Sequence, residues 1–223
     1  METLYQKAFA LEKSFLAQSL PDPVTLLSEN RKTGQSLPGL FSHCRPSRLC
    51  AQNCYACAPW MSRQNIVKKA VQVNNWLAKT PADIAAARIA AEIKWEGLLR
   101  FNCRGDFAPE TVAIVNRVVT IRPDVKFCAY SRRFSVLKQI SPQVCRVLST
   151  DKTCFRRKKL STIPADIKIS WLKADKNEKI PNRVDIIHPI NKKKALRAGD
   201  PRECPFEKFS QATCHDCLRC FTP

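Results

Sequence analysis

Long apolar runs are missing from this 223-residue chain. No uncharged stretch of about eighteen apolar residues occurs, so no membrane-spanning helix is expected. The first twenty residues carry Glu2, Lys7, Glu12 and Lys13 where a secretory signal would run apolar without a break, and no such signal is expected there. Glycine is also scarce, five against fifteen prolines, and no tandem repeat or low-complexity tract is visible. With 44% hydrophobic residues, the composition speaks against a disordered chain and fits one medium-sized globular unit with a sizeable core. The expected compartment is the cytoplasm.

Acidic residues are the other shortage. Nineteen Asp and Glu stand against thirty-eight Lys and Arg, a formal net charge of +19. The excess gathers in runs, Arg156, Arg157, Lys158 and Lys159 in one, Lys192, Lys193 and Lys194 in another. Such a surplus favours polyanionic partners through counterion release and long-range attraction. RNA or DNA is the expected partner, and no membrane is. Charge alone does not separate nucleic acid from an anionic lipid surface, and a soluble basic surface without a partner is the plain alternative.

What the chain has in abundance is cysteine, twelve residues in all. Thiols stay reduced in the cytosol, where clustered cysteines bind metal or do redox chemistry more often than they form disulfides. Four fall between residues 44 and 57, spaced Cys44-x5-Cys50-x3-Cys54-x2-Cys57. The last three can wrap three thiolates around three corners of an iron–sulfur cubane and leave the fourth iron open. Zinc, held by all four in a closed tetrahedron, is the structural alternative. A second set, Cys204, Cys214, Cys217 and Cys220, ends in a tight C-x2-C-x2-C run. That run resembles a ferredoxin-type ligand run and makes a full site, for iron–sulfur first and zinc as the rival. Cys103, Cys128, Cys145 and Cys154 share no short spacing; three read as inert buried thiols, and Cys154, beside the basic run, is left open.

Hydrophobic periodicity places these motifs on a scaffold. Helical spacing runs through residues 3–19, 62–79, 81–95 and 108–121, with Pro81 and Pro109 at starts. Short apolar runs suited to strands occur at "LPGLF", "LLRFNC", "VKFCAY", "QVCRVLS", "IKISWLK" and "RVDIIHPI". Alternating strands and helices predict an α/β fold with a parallel sheet, closed or nearly closed into a partial (β/α)6 barrel. The first cysteine loop, "RGDF" and "SRR" then follow the first three strands and share the carboxyl rim, where such folds place function. Residues 1–38 read as an N-terminal helix and lead-in, 39–190 as the barrel, and 191–223 as a cysteine-rich metal-binding segment.

The pieces "LSENRKTGQSLPG", "CRPSRLCAQNCYA", "RGDFAPETV", "FCAYSRR" and the cysteine-rich tail are together similar to one family. The chain resembles the radical-S-adenosylmethionine-like proteins of the phage- and plasmid-borne gene product 88 type. The resemblance implies that Cys50, Cys54 and Cys57 hold a 4Fe–4S cluster whose open iron binds S-adenosylmethionine. It implies Gly105 at a close backbone approach, Asp106 facing the cofactor's ammonium, and Ser131 and Arg132 meeting its carboxylate. Cleavage of the sulfonium to a deoxyadenosyl radical would be the cofactor's chemistry. Three departures bear on this: Ala56 stands where an aromatic usually precedes the third cysteine, Arg104-Gly105-Asp106 replaces a double-glycine–glutamate turn, and Cys44 is placed to close the open iron. An ordinary turn before a helix is the plain reading of the RGD sequence.

Overall fold

The computed structural model describes residues 3–30, 34–57, 63–94, 97–154, 160–175, 177–189, 200–204 and 213–222. Among these, seven strands form one sheet whose spatial order follows the sequence: β1 (Ser28–Asn30), β2 (Gly34–Leu37), β3 (Leu98–Phe101), β4 (Lys126–Ser131), β5 (Val144–Thr150), β6 (Ile167–Lys173) and β7 (Ile186–Pro189). β1 runs antiparallel to β2, and every later neighbour is parallel. Helix α1 (Leu4–Leu16) precedes the sheet. α2 (Arg48–Asn53), α3 (Gln64–Lys79) and α4 (Ala82–Glu92) lie between β2 and β3. α5 (Pro109–Ile121) and α6 (Phe134–Leu137) make the next two crossovers, and α7 (Cys214–Cys217) comes last.

Strand alternation sends side chains to opposite faces. One face carries Leu37, Leu99, Phe101, Phe127, Leu148, Ile169 and Ile187, which pack with Leu77 of α3, Ile89 of α4 and Val115 of α5 in the main core. The apolar stripes of α3, α4 and α5 thus meet the sheet, whereas α1 packs on the cysteine loop and α3. Pro109 at the first turn of α5 costs no hydrogen bond there, because the first amides of a helix lack intrahelical partners.

The opposite face carries Leu98, Cys128, Cys145, Val147 and Ile186, and the C-terminal turn lies against it. Phe221 is the plug, 2% exposed, with Cys214, Leu218 and Cys220 around it. Lys168 at the start of β6 donates to the carbonyls of Arg219 and Thr222, which fixes the chain end across the sheet.

Two expectations are corrected. The strand before the first cysteine loop is Gly34–Leu37, paired with Ser28–Asn30, and not "LPGLF"; Leu40 makes only an isolated bridge to Asp106, and Phe41–His43 is a 3-10 turn. The hairpin is too polar to show as an apolar run, so its pairing is set by the neighbouring β3. Nor is the sheet closed: among the described residues β1 and β7 remain its two edges. The architecture is thus a mixed α/β fold with an open, mostly parallel sheet.

Candidate functional site

The carboxyl end of β2 leads through Gly39 into the first cysteine loop, and the RGD turn after β3 crosses directly over it. Gly39 N–H donates to the Arg104 carbonyl at 3.0 Å and Asp106 N–H to the Leu40 carbonyl at 3.0 Å. A Cβ on Gly105 (φ +66°) would lie 2.5 Å from backbone atoms of Gly39 and Leu40. The close approach that Gly105 permits is therefore to the chain's own backbone at the root of the cysteine loop.

Asp106 is 2% exposed. Its Oδ1 accepts from Ser131 Oγ at 2.7 Å and Phe107 N–H at 2.8 Å; Oδ2 accepts from Arg132 N–H at 3.3 Å and lies 3.7 Å from Arg133 Nε. Burial pushes its carboxyl up, and the hydrogen bonds from Ser131 and Phe107 with the charge of Arg133 only partly offset that. Ser131 and Arg132, expected to share a site with Asp106, do touch it. Arg132 turns its guanidinium away, to Asp151 Oδ2 and Cys154 Sγ at 2.7 and 2.6 Å.

The cysteine loop is built from short pieces. Cys44 ends the 3-10 turn, Cys50 lies in α2, Cys54 follows its last residue, and Cys57 ends a second 3-10 turn. Ser47 caps α2 by accepting the Cys50 N–H at 3.0 Å. Above the loop lies α1, whose Tyr5, Ala8 and Phe9 pack on Phe41, Ala56 and Cys57. Glu12 of α1 reaches down to accept Phe41 N–H at 2.9 Å and Ser42 N–H at 2.8 Å, and it pairs with buried Arg104 at 3.6 Å. The Arg104 guanidinium also stacks on Phe41, 4.4 Å from the ring centre.

The thiols of Cys50, Cys54 and Cys57 neighbour one another closely enough to shift each other's ionisation. Donation to Cys54, with burial, pushes Cys50 well above an ordinary thiol. The bond from Cys50 lowers Cys54, but donation to Cys57 and burial together bring it up to about 11. Burial, then the negative charge of Asp106 and the nearby cysteines, raises Cys44. As a donor set, four soft sulfurs on one short loop suit a thiophilic metal or an iron–sulfur group. Among the described residues, no group of three or more His, Cys, Asp or Glu stands in a metal-holding arrangement. Metal binding here would therefore draw the sulfurs inward.

The second set meets on the sheet's other face. Cys204 is buried, its N–H donating to the Ile187 carbonyl at 3.0 Å beside β7. Cys214 and Cys217 bound α7, which Thr213 and Asp216 cap reciprocally. Cys220 Sγ accepts from Tyr130 OH at 3.0 Å, and Cys204 and Cys217 lie within its electrostatic reach. Cys128 and Cys145 stand opposite each other across β4 and β5 in the same region. Burial holds Cys145 up at about 11 and raises Cys128 well above an ordinary thiol, in keeping with inert thiols.

The basic residues Arg156, Arg157, Lys158, Lys159, Lys192, Lys193 and Lys194 lie outside the described residues. Sequence reasoning passed over Asp151, Ser47, Glu12 and Arg104. Asp151 had a readable signal: an acid directly after β5, on the same rim as the RGD and SRR loops. Glu12 had none, because its partners lie far along the chain.

An open, mostly parallel α/β sheet with a cysteine loop at the carboxyl rim and a cysteine-bearing tail across the other face defines the class. A family model described as Gene product 88 matches residues 6–223, and the chain belongs to that family. No curated protein and no solved structure shows significant similarity to it.

Proposed function

We propose that the protein is a radical-S-adenosylmethionine-like iron–sulfur protein that works on or with nucleic acid. The observation that carries this reading is the meeting, on one rim, of the loop bearing Cys50, Cys54 and Cys57 with the loops bearing Asp106, Ser131 and Arg132. Cys50, Cys54 and Cys57 would hold a 4Fe–4S cluster, which with S-adenosylmethionine supplies radical chemistry when bound. Cys204, Cys214, Cys217 and Cys220 would hold a second iron–sulfur group, or zinc. The cover of α1 over the loop limits water at the thiols, and the Arg132 guanidinium brings positive charge to Cys50.

A second reading is a non-catalytic iron–sulfur or zinc protein that binds nucleic acid. It is favoured by Cys44, which lies within electrostatic reach of Cys50 and Cys54 and can complete a closed set of four thiols. It is favoured also by Asp106, whose oxygens already accept from Ser131, Phe107 and Arg132.

Metal content tests the shared part of both readings. Protein isolated without oxygen should be brown and carry roughly four to eight irons with matching acid-labile sulfide, from one or two cubanes. Zinc alone, with negligible sulfide, would overturn the iron–sulfur assignment. For the nucleic-acid part, affinity should fall steeply with salt, and replacing Arg156, Arg157, Lys158 and Lys159 together by Ser should flatten that slope. Absence of RNA or DNA binding at low salt would reduce the basic surplus to a solubility feature.

A further inference from the structure

The ends of β4 and β5 and the cysteine loop converge on one carboxylate. Asp151 follows β5 directly, and no part of it reaches solvent. Its Oδ2 accepts from Ser47 Oγ at 2.5 Å and Arg132 Nη2 at 2.7 Å. Its Oδ1 accepts from Thr153 N–H at 2.8 Å and Thr153 Oγ1 at 2.6 Å. Burial works against its ionisation, but the bonds from Ser47 and Thr153 and the Arg132 charge outweigh burial and keep it below an ordinary carboxyl.

We propose that Asp151 is the positioning residue of the first cysteine loop, fixing the Cys50 backbone through the hydroxyl of Ser47. A serine hydroxyl has a single hydrogen. With that hydrogen committed to Asp151, the Ser47 lone pairs are left to face the Cys50 N–H, which they accept at 3.0 Å. The same carboxylate holds the Arg132 guanidinium, which also donates to Cys154 Sγ at 2.6 Å. Hydrogen bonds in such a chain polarise one another in a buried setting, so the relay holds its geometry better than separate bonds would. Ser47 and Asp151 are 104 residues apart, and their bond ties the cysteine loop to the carboxyl end of β5. The metal-dependent part of this inference rests on the reading of Cys50 as a ligand; the positioning itself does not.

The test uses the full chain in two states. In reduced, metal-free protein, iodoacetamide labelling is followed at each cysteine by peptide mass mapping. Ser47→Ala and Asp151→Asn should each speed labelling of Cys50 about fivefold, the scale on which losing one cap raises local opening. Cys44 and Cys204 should keep their wild-type rates, and Ser47→Thr, which retains the hydroxyl, should restore the Cys50 rate. In the second state, Co(II) alone is titrated and the thiolate charge-transfer band read. Both disrupting variants should bind it about 10–100-fold more weakly, the usual cost of losing an outer-shell partner, with a shifted band. An unchanged Cys50 rate, an equal rise at all the loop cysteines, or no rescue by Ser47→Thr would overturn the proposal. If wild-type protein gives no Co(II)–thiolate band, the metal reading fails, while the labelling rates still decide the positioning claim.

Discussion

Gly105→Ala should lower stability by about 3–5 kcal/mol, combining the strain of a side chain at positive φ with overpacking of a full backbone contact. The left-handed turn at Gly105 lays the RGD segment on Gly39 and Leu40, and the atoms that a Cβ would strike at 2.5 Å are backbone on both sides. Backbone cannot swing aside as a flexible side chain can. Gly39 meets the same crossing from below, since a Cβ there would lie 2.6 Å from the Asp106 carbonyl oxygen. Two of the chain's five glycines thus serve one crossing, which joins the root of the cysteine loop to the carboxyl end of β3. Urea unfolding measures the effect through the midpoint at unchanged slope. A wild-type midpoint in Gly105→Ala would show that the two segments separate at little cost, and the rim would not be the rigid platform described.

Glu12→Ala should cost a similar amount, about 3–5 kcal/mol, because it strands a buried guanidinium. Arg104 is 1% exposed, and Glu12 is its one acidic partner among the described residues. The same substitution leaves the amides of Phe41 and Ser42 without their acceptor beneath α1. Replacing both partners, Glu12→Leu with Arg104→Met, should recover much of the loss, since a buried pair exchanged for apolar groups of like volume is often neutral. The readout is again the urea midpoint, with proteolysis of α1 as a local check. Equal stability of Glu12→Ala and wild type would mean that α1 is not clamped over the cysteine loop.

Both predictions turn on contacts that local sequence patterns do not carry. Periodicity placed α3, α4 and α5 to within a few residues, because each buries one stripe and Pro81 and Pro109 stand at the starts of α4 and α5. Strands β3 to β7 were legible as short apolar runs, and their order follows from the alternation with helices. The hairpin of β1 and β2 was not, since "SEN" and "GQSL" have no strand-like apolar pattern and gain their pairing from β3. Closure of the sheet was expected from the number of alternating units. Strand count does not fix curvature, and the C-terminal turn covers the inner face with Phe221 instead. At the rim, the sequence placed Asp106, Ser131 and Arg132 in neighbouring loops, and they do meet. It could not show that Asp106 spends its oxygens on Ser131, Phe107 and Arg132, or that Asp151 ties Ser47 and Arg132 together. Those bonds depend on which loop lies over which strand end, a property of the folded chain.

Cysteine replacement with a cofactor readout decides whether the first cysteine loop holds an open or a closed site. Iron and acid-labile sulfide are measured in Cys44→Ala, Cys50→Ala, Cys54→Ala and Cys57→Ala, with the C-terminal set intact. Electron spin resonance of the reduced protein is then recorded with and without S-adenosylmethionine. Loss of Cys50, Cys54 or Cys57 should remove the first cluster, because three thiolates are the protein's share of an open cubane. Cys44→Ala should keep its iron, and the wild-type spectrum should change when S-adenosylmethionine is added. Loss of the cluster in Cys44→Ala, together with a wild-type spectrum that ignores the cofactor, would contradict the open site and leave a closed, four-thiolate site in a binding protein.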